Sequence, residues 1–219
     1  MASHTIFPLR LEYACLDGGH DATGTAFYGD PEDRPGGGEV DLMAEVYVGR
    51  APVDSYAELS NFVRKTIAYE SVASDPYLEK VLLVGEYLGF GGVSDWGGNC
   101  LDEIKDGSGS SGYNTTGFPE DYQKSTLYDR DRKWDKAELM ELIDGDVHSL
   151  NHLGHASVGS AMKMNVEDVG RLKNDRPFFG YSQGCYAGSF DNRDPDSVYS
   201  PIDSILEHFV TEPHGASLS

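Results

Sequence analysis

Two short apolar runs in the last third of the chain constrain its fold more than any other feature. Residues 147–153 have apolar side chains at Val147, Leu150 and Leu153 and are followed by Gly154, and residues 177–182, PFFGYS, end in Ser182; such runs are typical of strands buried in a parallel sheet. Residues 166–173 between them have helical apolar spacing. A strand, a helix and a strand in this order form a right-handed crossover, so both strands are predicted to end at one edge of a parallel sheet.

A histidine and a cysteine follow these two predicted strands. His155 ends the segment NHLGH, and Cys185 follows the second strand in FFGYSQGCYAG. Because neighbouring parallel strands end at the same edge, we expect the two side chains to lie close together. A thiol is only partly ionised near neutral pH, and a neighbouring histidine raises its thiolate fraction. The pattern therefore predicts a nucleophile, Cys185, paired with a base, His155.

Small residues flank this predicted pair. Gly184 directly precedes Cys185, and Ala156 directly follows His155. Glycine lets a substrate chain approach main-chain N–H groups closely, and such groups stabilise an oxyanion. We therefore expect Gly184 and Ala156 to contact the substrate, with the N–H groups of Ala156 and Cys185 facing the oxyanion.

The clearest buried strand covers residues 80–85, KVLLVG, which are apolar without alternation. Glu86 follows this strand and is expected at the same edge of the sheet. A carboxylate there would accept the second ring N–H of His155 and orient the imidazole. The alternative is an ordinary surface carboxylate near a strand end.

The chain resembles the gingipain-type cysteine peptidases, relatives of the caspases that cut peptide bonds with a histidine and a cysteine. The resemblance rests on the segments YVGRAP, NHLGH and GC-x-AG-x-F and on their order along the chain. It implies a three-layer α/β/α sandwich with a mostly parallel sheet, and a cysteine endopeptidase that acts on proteins or peptides. It also implies an acidic residue beside the histidine, which Glu86 matches, a secreted or cell-surface location, and other domains of a longer precursor.

The same resemblance gives a role to the glycine-rich loop at residues 87–99. Arginine-specific members of the family carry an acidic residue in the comparable loop, at the base of the S1 pocket. Asp95 matches that residue, so Asp95 and the adjacent Trp96 are candidate substrate-binding residues, with a charge-assisted bond to an arginine or lysine at P1. In the alternative interpretation, Asp95 closes an ordinary loop turn.

Two features depart from the family pattern. The family usually has glycine after the catalytic histidine, whereas this chain has Ala156, which would carry roughly 1 kcal/mol of strain if the position requires a positive φ. The chain also ends at Ser219, where such a domain continues into another core strand, so we expect a fragment of a longer protein. These departures favour a second hypothesis, a catalytically inactive peptidase-like binding domain.

Charge and length limit the partners and the domain count. The chain has 37 acidic and 17 basic residues and a net charge of −20, which argues against nucleic acid or an anionic membrane as a partner. No segment approaches the roughly 20 apolar residues of a membrane helix, and the N-terminus lacks a signal-peptide pattern. A length of 219 residues fits a single domain over 1–219.

Two metal sites remain as hypotheses, although the predicted reaction requires no cofactor. Hard oxygen ligands in the polar segment 17–41 suit structural calcium, and the candidate ligands are Asp17, Asp21 and Asp30. On a helix, three histidines would align as a zinc site and make the protein a zinc hydrolase; these are His148, His152 and His155. On a strand this alignment is lost, and single histidines there are more often core or hydrogen-bonded residues. A disulfide between Cys15 and Cys100 is left open.

The remaining pattern predicts further elements. Strands are expected over residues 6–15 and 45–49, and Ser55 with Glu58 forms a capping box that begins a helix. That helix is predicted to bury Leu59, Phe62, Val63, Thr66, Ile67 and Tyr69. Residues 106–119 are predicted to form a surface loop. Residues 136–143 form a helix, and the last helix begins at Ser200 and Pro201.

Overall fold

The computed structural model describes residues 46, 48–190 and 203–218. The chain divides into two compact units, Met1–Ala51 and Pro52–Ser219, and nearly all described residues belong to the second unit. The predicted strand over residues 6–15 lies outside the described residues. Val46, Val48 and Gly49 are described and are not in a strand, so the strand predicted over 45–49 is wrong at these positions. The single domain over 1–219 stays a prediction.

Eight strands form two sheets in the described part of the chain. They are β1 (Lys80–Gly85), β2 (Gln123–Tyr128), β3 (Ser149–Leu153), β4 (Ala156–Ser157), β5 (Ser160–Ala161), β6 (Met164–Asn165), β7 (Phe178–Ser182) and β8 (Ala216–Leu218). The central sheet has the order β2, β1, β3, β7, β8, and all its strands are parallel. The three shortest strands form a small antiparallel sheet between β3 and β7.

Five α-helices accompany these strands. They are α1 (Tyr56–Glu70), α2 (Gly97–Asp106), α3 (Lys136–Asp144), α4 (Val166–Val169) and α5 (Ile205–Thr211). Short 3-10 helices cover Pro76–Glu79, Gly92–Asp95 and Ser110–Gly112. No helix in the described ranges is long and apolar enough to cross a membrane.

The central sheet is buried on both faces. Strand side chains alternate between faces, so Leu82 and Val84 of β1 join the core with α3 and α5, whereas Val81 and Leu83 pack with α2. These four residues of β1 are at most 1% exposed. Burying such a side chain contributes about 1.5–3 kcal/mol. Helices therefore cover both faces, which confirms the predicted α/β/α arrangement with a parallel sheet.

The start of α1 is as predicted, but its buried face is not. Ser55 and Glu58 form the capping box. However, Leu59, Val63 and Ile67 are 42%, 44% and 60% exposed, so the predicted core face is wrong for these residues. Lys65 is buried instead, because its Nζ donates hydrogen bonds to the carbonyl oxygens of Phe209 and His214. The Lys65 side chain thus attaches α1 to α5 and to the segment that precedes β8.

Three further predictions are corrected towards the C-terminus. The helix predicted over 166–173 ends at Val169, since Gly170 is a poor helix former and caps the helix. The last helix begins at Ile205 after the cap Ser204, whereas residues 200–202 lie outside the described residues. The end of the chain forms β8 beside β7, although the sequence predicts that the final strand is missing.

Candidate active site

The candidate site lies at the carboxyl edge of β1, β3 and β7. In the sheet register, Gly85 pairs with Leu153, and His152 pairs with Ser182. The three strands therefore end side by side, and the segments that follow carry Glu86, His155 and Cys185. The predicted parallel pairing of the strands before His155 and Cys185 is confirmed.

The loops that follow β3 and β7 are in contact. A Cβ placed on Gly184 would lie 2.5 Å from the Cβ of Ala156, so only glycine fits at this position without a shift of the neighbouring loop. Because Gly184 precedes Cys185 and Ala156 follows His155, the contact brings the two candidate catalytic residues into neighbouring positions. Both His155 and Cys185 are exposed, which leaves them accessible to a substrate.

The backbone at Ala156 does not have the left-handed conformation that favours glycine. Among described residues other than glycine, positive φ occurs at Asp146, Met162, Lys163 and Tyr186, whereas Ala156 lies in β4. Alanine at this position therefore carries no left-handed strain. The strain lies instead at Tyr186, directly after Cys185, where φ is 59° and the cost is about 1–2 kcal/mol. The sequence prediction did not identify Tyr186.

Glu86 is buried and contacts the main chain of His155. Its Oε2 accepts a hydrogen bond from the His155 N–H at 2.9 Å. The other oxygen, Oε1, lies 3.6 Å from Nε2 of His152. The hydrogen bond described between Glu86 and His155 thus involves the backbone N–H, whereas the sequence prediction placed the carboxylate on the ring. A role for Glu86 in orienting the imidazole stays a prediction.

His152 occupies the space between the ends of β1 and β7. Its ring is 1% exposed, and its Nδ1 lies 2.8 Å from the hydroxyl oxygen of Ser182. The sequence prediction weighed a zinc ligand against a core or hydrogen-bonded histidine at this position, and His152 is the latter. Its position within a buried strand, two residues from the apolar Leu150, was the signal that its ring points into the core.

The three histidines of the zinc hypothesis do not form a metal site. They lie on and around a strand, so His148 contacts the hydroxyl of Tyr69, His152 contacts Ser182, and His155 is exposed. Burial lowers the pKa of His148 below its ordinary value. Within the described ranges, no group of three or more His, Cys, Asp or Glu side chains could hold a metal ion. The candidate calcium ligands Asp17, Asp21 and Asp30 lie outside the described residues.

Asp95 and Trp96 lie in the loop that follows β1. Asp95 Oδ1 accepts a hydrogen bond from the N–H of Gly91 at 2.7 Å, which closes the loop as the structural alternative expects. The ring of Trp96 lies 4.8 Å from that of Tyr87, centroid to centroid. Both Asp95 and Trp96 are half-buried. Substrate binding by these two residues stays a prediction.

One of two larger clefts borders the candidate site. This cleft, of about 450 Å³, includes Glu86, His155 and Ala156 among its lining residues. Asp168 and Lys136 also line this cleft, and the Lys136 ammonium donates a hydrogen bond to the Asp168 carboxylate. Burial alone would raise the pKa of Asp168. The hydrogen bonds from Lys136 and from the Asn165 N–H nevertheless hold that pKa below its ordinary value. The second cleft, of about 720 Å³, lies between α2 and residues 108–118, so the predicted surface loop forms its wall.

The cysteines of the described part are both unpaired. Cys100 and Cys185 are free, exposed thiols. The disulfide between Cys15 and Cys100, which the sequence left open, is therefore not formed.

Comparison with known proteins identifies the family. The model of peptidase family C25 matches residues 10–219. The chain belongs to this family. Membership in C25 confirms the resemblance to gingipain-type cysteine peptidases.

Solved structures agree with this assignment. The structure of the Arg-specific cysteine proteinase gingipain R matches with a TM-score of 0.57 and 18% identity over 81% of this chain. The complex of Porphyromonas gingivalis RgpB pro- and mature domains matches with a TM-score of 0.56 and 17% identity over 80% of this chain. At 17–18% sequence identity, the structural similarity shows that the fold is shared and nothing more. The C25 domain described here spans 40% of each of those chains, and no curated protein sequence matches it.

Proposed function

We propose that this C25 domain is a cysteine endopeptidase in which Cys185 is the nucleophile and His155 the proton carrier. The observation that supports this proposal is the contact between Gly184 and Ala156 at the carboxyl edge of the sheet. It holds the loop of the cysteine against the loop of the histidine and leaves both side chains exposed. A dyad of this kind needs no metal or organic cofactor.

In the proposed reaction, His155 accepts the proton of the Cys185 thiol, and the thiolate attacks the carbonyl carbon of the scissile peptide bond. The N–H groups of Cys185 and Ala156 stabilise the oxyanion that forms. His155 then donates the proton to the leaving amine as the C–N bond breaks, and an acyl-enzyme remains. Water, deprotonated by His155, hydrolyses the thioester and releases the second product. Glu86 holds the backbone of His155 in place by accepting the hydrogen bond from its N–H.

The proposed substrates are proteins or peptides with arginine or lysine at P1. Asp95 would pair with the basic side chain, and Trp96 would form part of the same wall. A net charge of −20 attracts cationic peptides and repels nucleic acid and anionic membranes. The neighbour described as Arg-specific, gingipain R, shares this fold, which supports the P1 preference.

Three further proposals concern the context of the domain. We propose that it acts outside the cell or at the cell surface. It would belong to a longer precursor, since one structural neighbour is a complex of pro- and mature domains. A structural calcium ion would be held by Asp17, Asp21 and Asp30.

A peptide-cleavage assay tests the proposed function. Fluorogenic peptides that carry arginine, lysine or alanine at P1 are incubated with the chain and with Cys185→Ala and His155→Ala. Both variants should lose turnover, whereas Cys100→Ala, which removes the other exposed thiol, should retain it. A folded chain that cleaves none of the peptides would instead support the peptidase-like binding domain.

A further inference from the structure

Three buried or half-buried polar side chains, those of Glu86, His152 and Ser182, lie in a row at the sheet edge near the candidate dyad. His152 is 1% exposed and lies between Glu86, which follows β1, and Ser182, which ends β7. Its Nδ1 lies 2.8 Å from the Ser182 hydroxyl oxygen, and its Nε2 lies 3.6 Å from Glu86 Oε1. Buried polar atoms are nearly always paired, so the direction of each contact can be worked out.

Each outer member of this row, Glu86 and Ser182, accepts a hydrogen bond from one main-chain N–H of the candidate active site. Glu86 Oε2 accepts the N–H of His155 at 2.9 Å. The Ser182 hydroxyl oxygen accepts the N–H of Gly184 at 3.2 Å. His152 thus lies between the two groups that fix the loop of the histidine and the loop of the cysteine.

For a neutral His152 ring, one arrangement of protons satisfies all these contacts. The Ser182 hydroxyl accepts from Gly184 and donates its own proton to Nδ1 of His152. The ring proton then lies on Nε2 and points towards Glu86 Oε1. The other tautomer would direct the Nε2 lone pair at the carboxylate, which is unfavourable. Neither Glu86 Oε1 nor His152 Nε2 has a hydrogen-bond partner among the described residues, so each is the other's available electrostatic partner.

Gly154 covers the meeting point of His152 and Glu86. A Cβ placed on Gly154 would lie 2.4 Å from His152 Nε2 and 2.6 Å from Glu86 Cδ. The backbone of Gly154 therefore packs directly over the imidazole and the carboxylate. This low-dielectric enclosure strengthens the electrostatic contact between them.

We propose that His152 is a positioning residue that holds both the loop of His155 and the loop of Cys185, with Glu86 and Ser182 as its two arms. The catalytic part of this inference rests on the proposed function. His152 does not touch the substrate; it acts by holding the N–H groups of His155 and Gly184 in place. Misplacing catalytic groups by about 1 Å costs roughly a hundredfold in rate, so such a device has a measurable effect.

Two substitutions separate the arms of His152. Asparagine places a polar group near the position of Nδ1, so His152→Asn keeps the Ser182 contact and loses the Glu86 contact. Glutamine reaches the position of Nε2, so His152→Gln keeps the Glu86 contact and loses the Ser182 contact. Ser182→Ala removes the acceptor of the Gly184 N–H itself, so it gives the acceleration expected when that bond is lost outright. If one His152 variant does not fold, the other still tests its own arm.

Hydrogen exchange of individual amides in the full chain, followed by NMR, tests this positioning role without reference to activity. We expect His152→Asn to accelerate exchange of the His155 amide roughly tenfold and to leave the Gly184 amide unchanged. His152→Gln and Ser182→Ala should accelerate the Gly184 amide and leave the His155 amide unchanged. Unchanged exchange in both His152 variants, or equal acceleration of both amides in each, would overturn the proposal.

The alkylation rate of Cys185 separates this inference from the proposed function. If the dyad exists, the wild-type thiol reacts rapidly below the ordinary thiol pKa, and His152→Asn lowers that rate about tenfold or more. If the wild-type thiol is ordinary, the proposed function fails, and the amide data still decide whether His152 positions the two loops. If the wild-type thiol is reactive but both His152 variants match it, the positioning role alone is refuted.

Discussion

Gly184 approaches Ala156 so closely that a Cβ on Gly184 would stand 2.5 Å from the Cβ of Ala156. Real Cβ atoms do not come this close, so one loop would have to move. The contact joins the segment before the candidate nucleophile to the segment after the candidate base. The relative position of Cys185 and His155 therefore depends on the absence of a side chain at residue 184.

The first prediction is that Gly184→Ala separates the two loops and lowers turnover by about a hundredfold, since it displaces catalytic groups. The rate of peptide cleavage measures this effect, and the melting temperature shows whether the domain stays folded. Gly159→Ala is the matched control, because a Cβ at Gly159 meets nothing within 4 Å.

A second substitution identifies the cause of this loss. In the double variant Gly184→Ala with Ala156→Gly, the Cβ that causes the clash is removed, so most of the turnover should return. The next atom near residue 184 is the Ser182 hydroxyl oxygen at 3.2 Å, which a small shift accommodates. Ala156→Gly alone should not raise turnover, since Ala156 has no positive φ. A double variant as inactive as Gly184→Ala would contradict the loop-contact argument.

The second prediction concerns the hydrogen bond from the His155 N–H to Glu86. Glu86→Gln keeps the shape of the side chain but removes its charge, and a bond to a charged group is worth about 1.5–3 kcal/mol. We expect kcat/KM for peptide cleavage to fall about tenfold. Glu79→Gln makes the same change at an exposed position before the same strand and should have no effect. An unchanged rate in Glu86→Gln would remove Glu86 from the mechanism.

The sequence predicted the architecture well where strands are buried on both faces. β1 has the predicted bounds, and β3 and β7 pair in parallel as expected, because short apolar runs of this kind specify buried strands. β2 was missed because it lies at the edge of the sheet and its first residues are exposed or half-buried. The predicted core face of α1 was wrong because an apolar stripe on a helix does not show which face packs against the rest of the fold.

The sequence predicted less of the site. It placed Glu86, His155 and Cys185 at one edge, since strand order and chain order determine that. It could not show that Glu86 meets a backbone N–H of His155, because this depends on a side-chain direction. The contact of Gly184 with Ala156 depends on how the two loops meet, which residue types alone did not specify. The burial of the His152 ring, in contrast, was indicated by its alternation with Leu150.

The third prediction tests the role of Asp95 in substrate selection. Asp95→Asn keeps an oxygen for the bond from the Gly91 N–H but removes the negative charge. We expect kcat/KM for arginine and lysine at P1 to fall about tenfold relative to alanine at P1. Asp121→Asn, at an exposed position before β2, controls for the change in net charge. Equal wild-type turnover of arginine and alanine peptides would contradict a basic preference.

The fourth prediction concerns the buried lysine that anchors α1. Burial lowers the pKa of Lys65 to about 7, against roughly 10.5 in an unfolded chain. Between these values the unfolded chain binds more protons than the folded one, so the contribution of Lys65 to stability rises with pH. The neutral amine can still donate to the carbonyl oxygens of Phe209 and His214.

Urea unfolding between pH 6 and 11.5 measures this effect. The free energy of unfolding of wild type minus that of Lys65→Met should increase from about pH 7 upward and level off above roughly pH 10.5. Lys133→Met changes the same charge at an exposed position and corrects for the loss of one positive charge from an acidic chain. A difference that falls over this range would show that the ammonium form is the one that stabilises the fold.

The alkylation rate of Cys185 as a function of pH tests the central claim most directly, and it requires no choice of substrate. It is measured in the chain and in His155→Ala, with Cys15 and Cys100 replaced by serine in both. The account predicts that Cys185 reacts rapidly well below the ordinary thiol pKa of about 8.5, and that His155→Ala abolishes this fast reaction. A thiol that reacts only near pH 8.5 and is indifferent to His155 would contradict the dyad.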